Sequence, residues 1–97
     1  MKTHELKTIN PYFSNIWDGI KLFEIRKDDR HFEIGDILWL RECKVEKNTY
    51  IKYSGREIIC DVTYILRHDG LVPGFCAMGI KVLQLRTMDP NTNLPIG

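Results

Sequence analysis

One early segment of the chain repeats apolar residues at helical spacing. Four of them share one helix face at i, i+3, i+4 and i+7, namely Phe13, Ile16, Trp17 and Ile20. The side chain of Asn10 can cap a helix, and Pro11 suits the first helical position because its missing N–H has no partner there. Gly19 suits a left-handed cap at the other end. The pattern predicts one short helix that ends at Gly19.

The remaining segments alternate apolar and polar residues with a period of two, which is typical of half-buried strands. A short first strand turns Leu6 inward, and a second strand begins at Leu22 with Phe23 and Ile25 on one side. Three longer strands are predicted within residues 36–43, 56–68 and 75–85.

In the two longest strands the alternation also predicts which residues lie on one face. In the first of them these are Ile58, Cys60, Val62, Tyr64 and Leu66. In the last strand they are Cys76, Met78, Ile80 and Val82. Gly79 interrupts this last strand, which indicates a bulge or a bend of the kind a barrel needs.

Turn-forming residues separate the strands. Residues 45–56 are predicted to form an exposed excursion that turns at Lys47-Asn48 and again at Ser54-Gly55. Residues 87–97 are predicted to form a flexible tail. One or two short helices and about five strands predict a single α+β domain over residues 1–97, with a small curved sheet that closes towards a barrel.

Composition limits the kind of protein this is. The chain has 97 residues, and its hydrophobic content of 43% is enough for a core. Fourteen basic residues against thirteen acidic ones leave a formal charge of +1, which argues against a broad basic surface for duplex DNA but not against a small basic pocket. The N-terminal residues have no apolar signal-peptide region, and no segment is long and apolar enough to span a membrane.

The cysteines and histidines bear on compartment and on metal binding. Three cysteines without a CxxC pair indicate reduced thiols in a cytoplasmic protein; they are Cys43, Cys60 and Cys76. The histidines lie far apart in sequence without local partners, so no metal site is predicted. His68-Asp69 sits in a turn, where such residues usually serve the turn itself. No phosphate-loop, dinucleotide-binding or GxSxG motif occurs, and no cofactor is predicted.

Charged residues are most concentrated in the stretch GIKLFEIRK, residues 19–27, which carries Lys21, Glu24, Arg26 and Lys27. One interpretation is a solvated strand face with an ion pair that contributes little. The other is a cleft where the helix meets the strand, in which partly desolvated charges interact more strongly. The residues alone leave both open. Exposed Tyr50 and Tyr53 can stack on a base or can cover neighbouring residues.

The same stretch has the form G-x-K-x-x-E-x-R, which resembles the signature of the ASCH domain, a member of the PUA-like superfamily. Three later segments, EIGDILWLRE, YSGREIICDVTYIL and GFCAMGIKVLQL, are similar to small phage and bacterial ASCH-like proteins of unassigned function, the DUF3850-like group. The similarity extends over residues 3–86. It implies a small PUA-like curved mixed β-barrel with a cleft beside the junction of helix and strand.

The resemblance also implies a ligand, RNA or a nucleotide, and a set of binding residues. Lys21 would hold a phosphate or a base carbonyl, and Arg26 would offer its planar fork of donors to a phosphate or a guanine-like edge. Glu24 would accept a hydrogen bond from a base amine or hold the two cations in place, and Lys27 completes the set. A single-stranded or flipped base suits such a cleft. No catalytic residue and no oligomeric state is assigned.

An enzymatic alternative remains open. One branch of the superfamily is similar in its G-x-K motif and hydrolyses acetylated cytidine with a Lys, a Thr nucleophile and a Glu. That Thr aligns with Glu24, so the attacking hydroxyl is missing from the motif of this chain. Asp61 and Thr63 on the long strand are further candidates for reactive groups. The main prediction is therefore a binding module, and the alternative is an amidohydrolase that acts on a modified nucleoside.

Overall fold

The computed structural model of the chain describes residues 1–47 and 50–96. Its elements follow one another as β1 (Thr3–Thr8), α1 (Tyr12–Trp17), β2 (Phe23–Lys27), β3 (Ile37–Glu46), β4 (Tyr50–Leu66) and β5 (Phe75–Thr87). The strands form one sheet in the order β1-β3-β4-β5-β2. Strand β1 runs parallel to β3, and the other neighbours are antiparallel. A mixed sheet of five strands with one short helix confirms the α+β prediction, but the sheet is open, with β1 and β2 as its edges.

The core lies between α1 and one face of the sheet. Alternate strand residues point into it, as the period of two requires. The buried apolar side chains from the strands are Leu6, Leu38, Leu40, Cys43, Ile58, Cys60, Val62, Cys76, Met78 and Ile80. Phe13 and Ile16 from α1 and Phe32 from the loop before β3 complete the core. Burial of each large apolar side chain contributes roughly 1.5–3 kcal/mol, so this cluster is the main source of stability.

The helix ends lie close to the predicted signals, but Pro11 is the N-cap of α1 and not its first helical residue as predicted. The side-chain oxygen of Asn10 accepts the backbone N–H of Ser14 at 2.9 Å, which satisfies a donor that the first helical turn leaves free. At the other end Gly19 has φ 77°, and its N–H donates to the carbonyl of Ile16 at 3.0 Å. Ile20 was expected on the apolar helix face but is 74% exposed. The chain reverses at Gly19, so Ile20 no longer follows the helix.

The predicted turn at Ser54-Gly55 is wrong, because β4 continues through both residues. The pairing of β3 with β4 shifts register between Arg41 and Cys43, so the chain forms a bulge instead of a turn. Gly55 has φ 99° there, and its carbonyl accepts the N–H of Met88 at 2.7 Å. The other predicted turn falls at Lys47, which has φ 53°, and at Asn48, which lies outside the described residues.

A second bulge makes the predicted face of β4 wrong beyond Val62. The pairing of β4 with β5 shifts between Val62 and Tyr64, opposite Gly79, which confirms the irregularity predicted at that glycine. The extra residue reverses the faces beyond it. Tyr64 is therefore 62% exposed instead of facing the core, and Ile65 packs against the core in its place.

The last residues fold back on the sheet. Met88 forms an isolated bridge with Pro95, and the N–H of Ile96 donates to the carbonyl of Thr87 at 3.0 Å. Flexibility of residues 87–97 stays a prediction. Among the described residues, the structure contains no helix with the length and apolar character needed to cross a membrane.

Candidate functional site

The two edge strands of the sheet face each other across a gap, which we call the seam. Arg26 of β2 crosses it. Its Nη1 donates to the carbonyl of Lys7 at 3.1 Å, and its Nη2 donates to the hydroxyl of Thr8 at 2.9 Å, both on β1. Within residues 1–47 and 50–96 no backbone ladder joins β1 to β2. The side chain of Arg26 therefore links β1 to β2, whereas in a closed barrel backbone hydrogen bonds would link these two strands.

Glu24 lies at the centre of this seam and is only 3% exposed. It pairs in register with buried Met78 of β5, so the charged side of β2 faces inward while Phe23 and Ile25 are about half exposed. One carboxylate oxygen accepts a hydrogen bond from the ammonium of Lys21 at 2.5 Å, and the other accepts one from Nε of Arg26 at 2.8 Å. The structure thus brings three of the residues singled out in the sequence into one cluster.

Lys21 reaches the cluster because the chain reverses after α1. The N–H of Lys21 donates to the carbonyl of Asn15 at 2.9 Å, which fixes the reversal. Its Nζ also donates to the carbonyl of Phe23 at 2.7 Å. The ammonium lies 4.8 Å from the ring centroid of Phe23 and 5.7 Å from that of Tyr12, within the range of cation–π attraction. Two half-exposed rings therefore lie near the cation.

These groups line a pocket of about 520 Å³, which we call the seam pocket. Its lining consists of residues 7–9, Tyr12, Lys21 and residues 23–26. Apolar side chains form the walls, and the ion cluster lies between them. Lys27 is exposed and does not line the seam pocket, so the structure does not bring it together with the other three.

The ion cluster retains hydrogen-bonding capacity. An ammonium has three donors, and Lys21 uses two of them within the described residues. A guanidinium has five, and Arg26 uses three. A carboxylate offers about four lone-pair positions, and Glu24 receives two hydrogen bonds. The site can therefore both donate to a ligand and accept from it.

A second buried carboxylate holds the loop that leads into α1. Glu42 accepts hydrogen bonds from Asn10 at 2.7 Å, Ser54 at 2.5 Å and Arg56 at 2.6 Å. The hydrogen bond from Arg56 is the main reason that the pKa of Glu42 falls to about 2. Because Asn10 precedes Tyr12 by two residues, this network fixes one wall of the seam pocket.

Sequence reasoning missed Thr8 and Tyr12 as site residues. A signal for Thr8 existed, since it follows inward-facing Leu6 by two residues and is itself buried. Tyr12 had no such signal, because only the tertiary arrangement places it beside Lys21.

The other candidates lie elsewhere. Asp61 and Thr63 do not line the seam pocket. The carbonyl of His68 accepts the N–H of Leu71 at 3.0 Å, in keeping with the predicted turn. Tyr53 lines a neighbouring pocket, and the side chain of Tyr50 lies outside the described part of the chain. Over residues 1–47 and 50–96, no group of three or more His, Cys, Asp or Glu residues is arranged to hold a metal ion.

Comparison with known proteins finds a matching family and a similar phage protein. The sequence model of a family described as "Domain of unknown function (DUF3850)" matches residues 3–80. A protein of Escherichia phage P2, named "Uncharacterized 12.9 kDa protein in GpA 3'region", is 39% identical, and the match covers 69% of this chain and 67% of the phage protein. Neither description states an activity.

Proposed function

The chain belongs to the DUF3850 family, and we propose that it is a binding module that holds a nucleotide, free or within single-stranded RNA, in the seam pocket. Lys21, Glu24 and Arg26 are the proposed recognition residues. The observation that carries the proposal is the nearly complete burial of the Glu24 carboxylate between two cations that still have free donors.

Stability alone is a poor reason for such a cluster. Removing charges from water is costly, and a buried ion pair often contributes no more than well-packed apolar residues would. Recognition is a better reason, because partly desolvated charges bind a polar partner more strongly than charges in water do. Glu24 can accept from the amine of a base, while Lys21 and Arg26 can donate to a carbonyl or a phosphate.

The walls of the pocket also suit a base. The rings of Tyr12 and Phe23 are about half exposed and lie near Lys21, and stacking on an aromatic ring is a common way to hold an unpaired base. The volume of about 520 Å³ falls within the range of small-molecule sites. A base inside a duplex cannot bring its edge to the recessed carboxylate, so an unpaired nucleotide is the proposed ligand.

The fold assignment forms part of this proposal. We assign the chain to the PUA-like superfamily as an ASCH-like domain, supported by the G-x-K-x-x-E-x-R motif and by a five-stranded mixed sheet with Arg26 across its seam. In this view the sheet is a barrel that backbone pairing leaves open at the ligand site. A cytoplasmic setting is also proposed, since an RNA ligand and three free thiols suit that compartment.

Binding is favoured over amide hydrolysis. Thr8 does supply a hydroxyl at the seam, 2.9 Å from Arg26, which the motif itself lacks. However, Thr8 is only 3% exposed, and its hydroxyl donates to the carbonyl of Leu6 instead of to a general base.

The test is a titration of the protein with the four ribonucleoside monophosphates and with short single-stranded RNAs. Calorimetry or fluorescence anisotropy measures the binding. Lys21→Gln should weaken binding about tenfold or more, the usual cost of losing a charged hydrogen bond. Lys27→Gln is the matched control, because it removes the same charge from outside the seam pocket. Equal loss in both variants, or no binding by the wild-type protein, would refute the proposal.

Incubation with acylated nucleosides tests the alternative. Binding without chemistry predicts no product above the level seen with Glu24→Gln. Product formed by the wild-type protein and lost in both Glu24→Gln and Thr8→Val would favour hydrolysis instead.

A further inference from the structure

A second pocket adjoins the seam pocket. Its volume is about 550 Å³, and we call it the basic pocket. It is lined by Glu5, Leu6, Lys7, Arg26, Arg30 and Tyr53. Lys7 and Arg26 line both pockets, so the two pockets meet at these residues.

Positive charge dominates the basic pocket. Three of its lining residues are cations, and its one carboxylate, Glu5, is already bonded to Arg41 at 2.8 Å. Arg30 is held by a backbone acceptor, the carbonyl of Glu5, at 2.9 Å. In the part of the chain that the structure describes, neither Lys7 nor Arg30 is paired with a carboxylate. Since the whole chain carries a net charge of only +1, this excess is local.

The guanidinium of Arg26 links the two pockets chemically. Its Nε edge faces Glu24, and its Nη edge faces β1 through Lys7 and Thr8. Two of its five donors are free within the described residues. One side chain can therefore contact a base edge in the seam pocket and a phosphate in the basic pocket.

We propose that the basic pocket binds the phosphodiester that follows the nucleotide held in the seam pocket, so that the ligand is single-stranded RNA of at least two nucleotides. This inference rests on the proposed function. Lys7 and Arg30 contact the phosphate, and the next base stacks on Tyr53. The guanidinium of Arg41 lies 3.8 Å from the ring centroid of Tyr53, so one ring face is already covered and the ring is held in place.

Lys7 and Arg30, two neighbouring cations without a carboxylate partner, suit a phosphate better than an acidic peptide. An acidic side chain is a flexible single charge, whereas a phosphodiester next to a bound base is held at a fixed distance from the seam pocket. The phosphodiester in the basic pocket therefore binds as part of the same RNA as the base in the seam pocket. Its contribution appears as a higher affinity for a longer RNA.

The experiment compares a ribonucleoside monophosphate, a dinucleotide and a hexanucleotide single-stranded RNA of the same base, titrated at several salt concentrations. The dinucleotide should bind the wild-type protein about tenfold more tightly than the monophosphate. Arg30→Gln should remove most of this gain and reduce the salt slope by about 0.7 for the one lost phosphate contact. It should leave monophosphate affinity unchanged, because Arg30 does not line the seam pocket.

Lys27→Gln again serves as the control of equal charge and should retain the full gain. A second variant, Tyr53→Leu, should weaken the dinucleotide but not the monophosphate, whereas Tyr53→Phe should bind like the wild-type protein. Thermal unfolding of each variant separates loss of binding from loss of fold.

Different failures have different meanings. If the monophosphate binds and the dinucleotide gains nothing, or if Arg30→Gln behaves like Lys27→Gln, this inference is wrong and the proposed function stands. If polyglutamate competes as well as RNA does, the basic pocket is a site for acidic peptides and the inference is again wrong. If no nucleotide binds at all, the proposed function itself fails.

Discussion

Arg26 on one edge of the sheet donates a hydrogen bond of 2.9 Å to the hydroxyl of Thr8 on the opposite edge. Edge strands normally pair, curl into a closed barrel or are covered. Here the side chain of Arg26 spans the gap, and the seam pocket lies beside it. The residue that joins the edges is therefore the same residue that lines the candidate site.

Arg26→Lys tests this double role. Lysine keeps the charge but has no fork, so one ammonium cannot bond Glu24, the carbonyl of Lys7 and Thr8 at once. We expect the free energy of unfolding to fall by about 1–3 kcal/mol, because buried groups on both edges lose their donors. Urea denaturation, monitored by tryptophan fluorescence, measures this loss of stability.

The control for that substitution is Lys27→Gln on the same strand, which should change stability by less than about 0.5 kcal/mol because Lys27 is an exposed surface residue. If Arg26→Lys unfolds at the wild-type urea concentration, the guanidinium does not hold the edges together.

What the sequence predicted well depends on short-range spacing. The helix end at Gly19 and the buried face of β5 each follow from residues within a few positions of one another. The spacing of Lys21, Glu24 and Arg26 was compatible with a solvated strand face as well as with a cleft, so it did not predict the cluster around Glu24 by itself. The pairing of Thr8 with Arg26 was not predictable in this way. It requires the two edges to approach each other, and this follows from the packing of the whole sheet, including the parallel pairing of β1 with β3.

The same distinction explains the errors in β4. A strict period of two predicts a face only while the register holds, and the pairing of β4 with its neighbours shifts register at three places. Gly55 looked like a turn residue because glycine accepts positive φ, but here that freedom serves a bulge inside a strand.

Gly55→Ala is therefore expected to be among the most damaging small substitutions. A Cβ at this position would lie 2.0 Å from the carbonyl oxygen of Met88, and the backbone has φ 99°. Backbone atoms cannot move aside cheaply, so either the segment after β5 detaches or the bulge rearranges. We expect a loss of about 3 kcal/mol or more in the free energy of unfolding, measured by denaturant titration.

Gly70→Ala isolates the steric part of that effect. Gly70 also has positive φ, 82°, but a Cβ there would meet nothing within 4 Å. It should cost only about 1–2 kcal/mol, the conformational penalty for a left-handed residue. Equal losses in the two variants would contradict the close contact with Met88.

The three thiols should be unreactive in the folded protein. Cys43, Cys60 and Cys76 are free and buried, and burial raises the pKa of Cys60 to about 12. Since the thiolate is the reactive form, alkylation by iodoacetamide at neutral pH should be negligible without denaturant and complete in urea. Intact mass spectrometry counts the adducts, and rapid labelling of the native protein would contradict the buried placement.

The pH dependence of stability should carry a contribution from Glu42. Hydrogen bonds from Arg56, Ser54 and Asn10 lower its pKa from 4.5 to about 2 in the folded protein. A depressed carboxyl pKa stabilises the fold fully above the unfolded value and less as the pH falls towards the folded one. The contribution should therefore be constant above pH 4.5 and decline by at most about 1.4 kcal/mol per pH unit below it.

Glu42→Gln makes this contribution measurable as a difference. The free energy of unfolding of the wild-type protein minus that of the variant should be greatest near pH 7 and should shrink between pH 4.5 and 2. Glu46→Gln, an exposed carboxylate on the same strand, should give a difference near zero at every pH. Since Glu42 also holds the loop that leads into α1, whose first residue is Tyr12, Glu42→Gln should weaken nucleotide binding at neutral pH while Glu46→Gln does not. A difference that does not change with pH would show that Glu42 is not held as a carboxylate by Arg56.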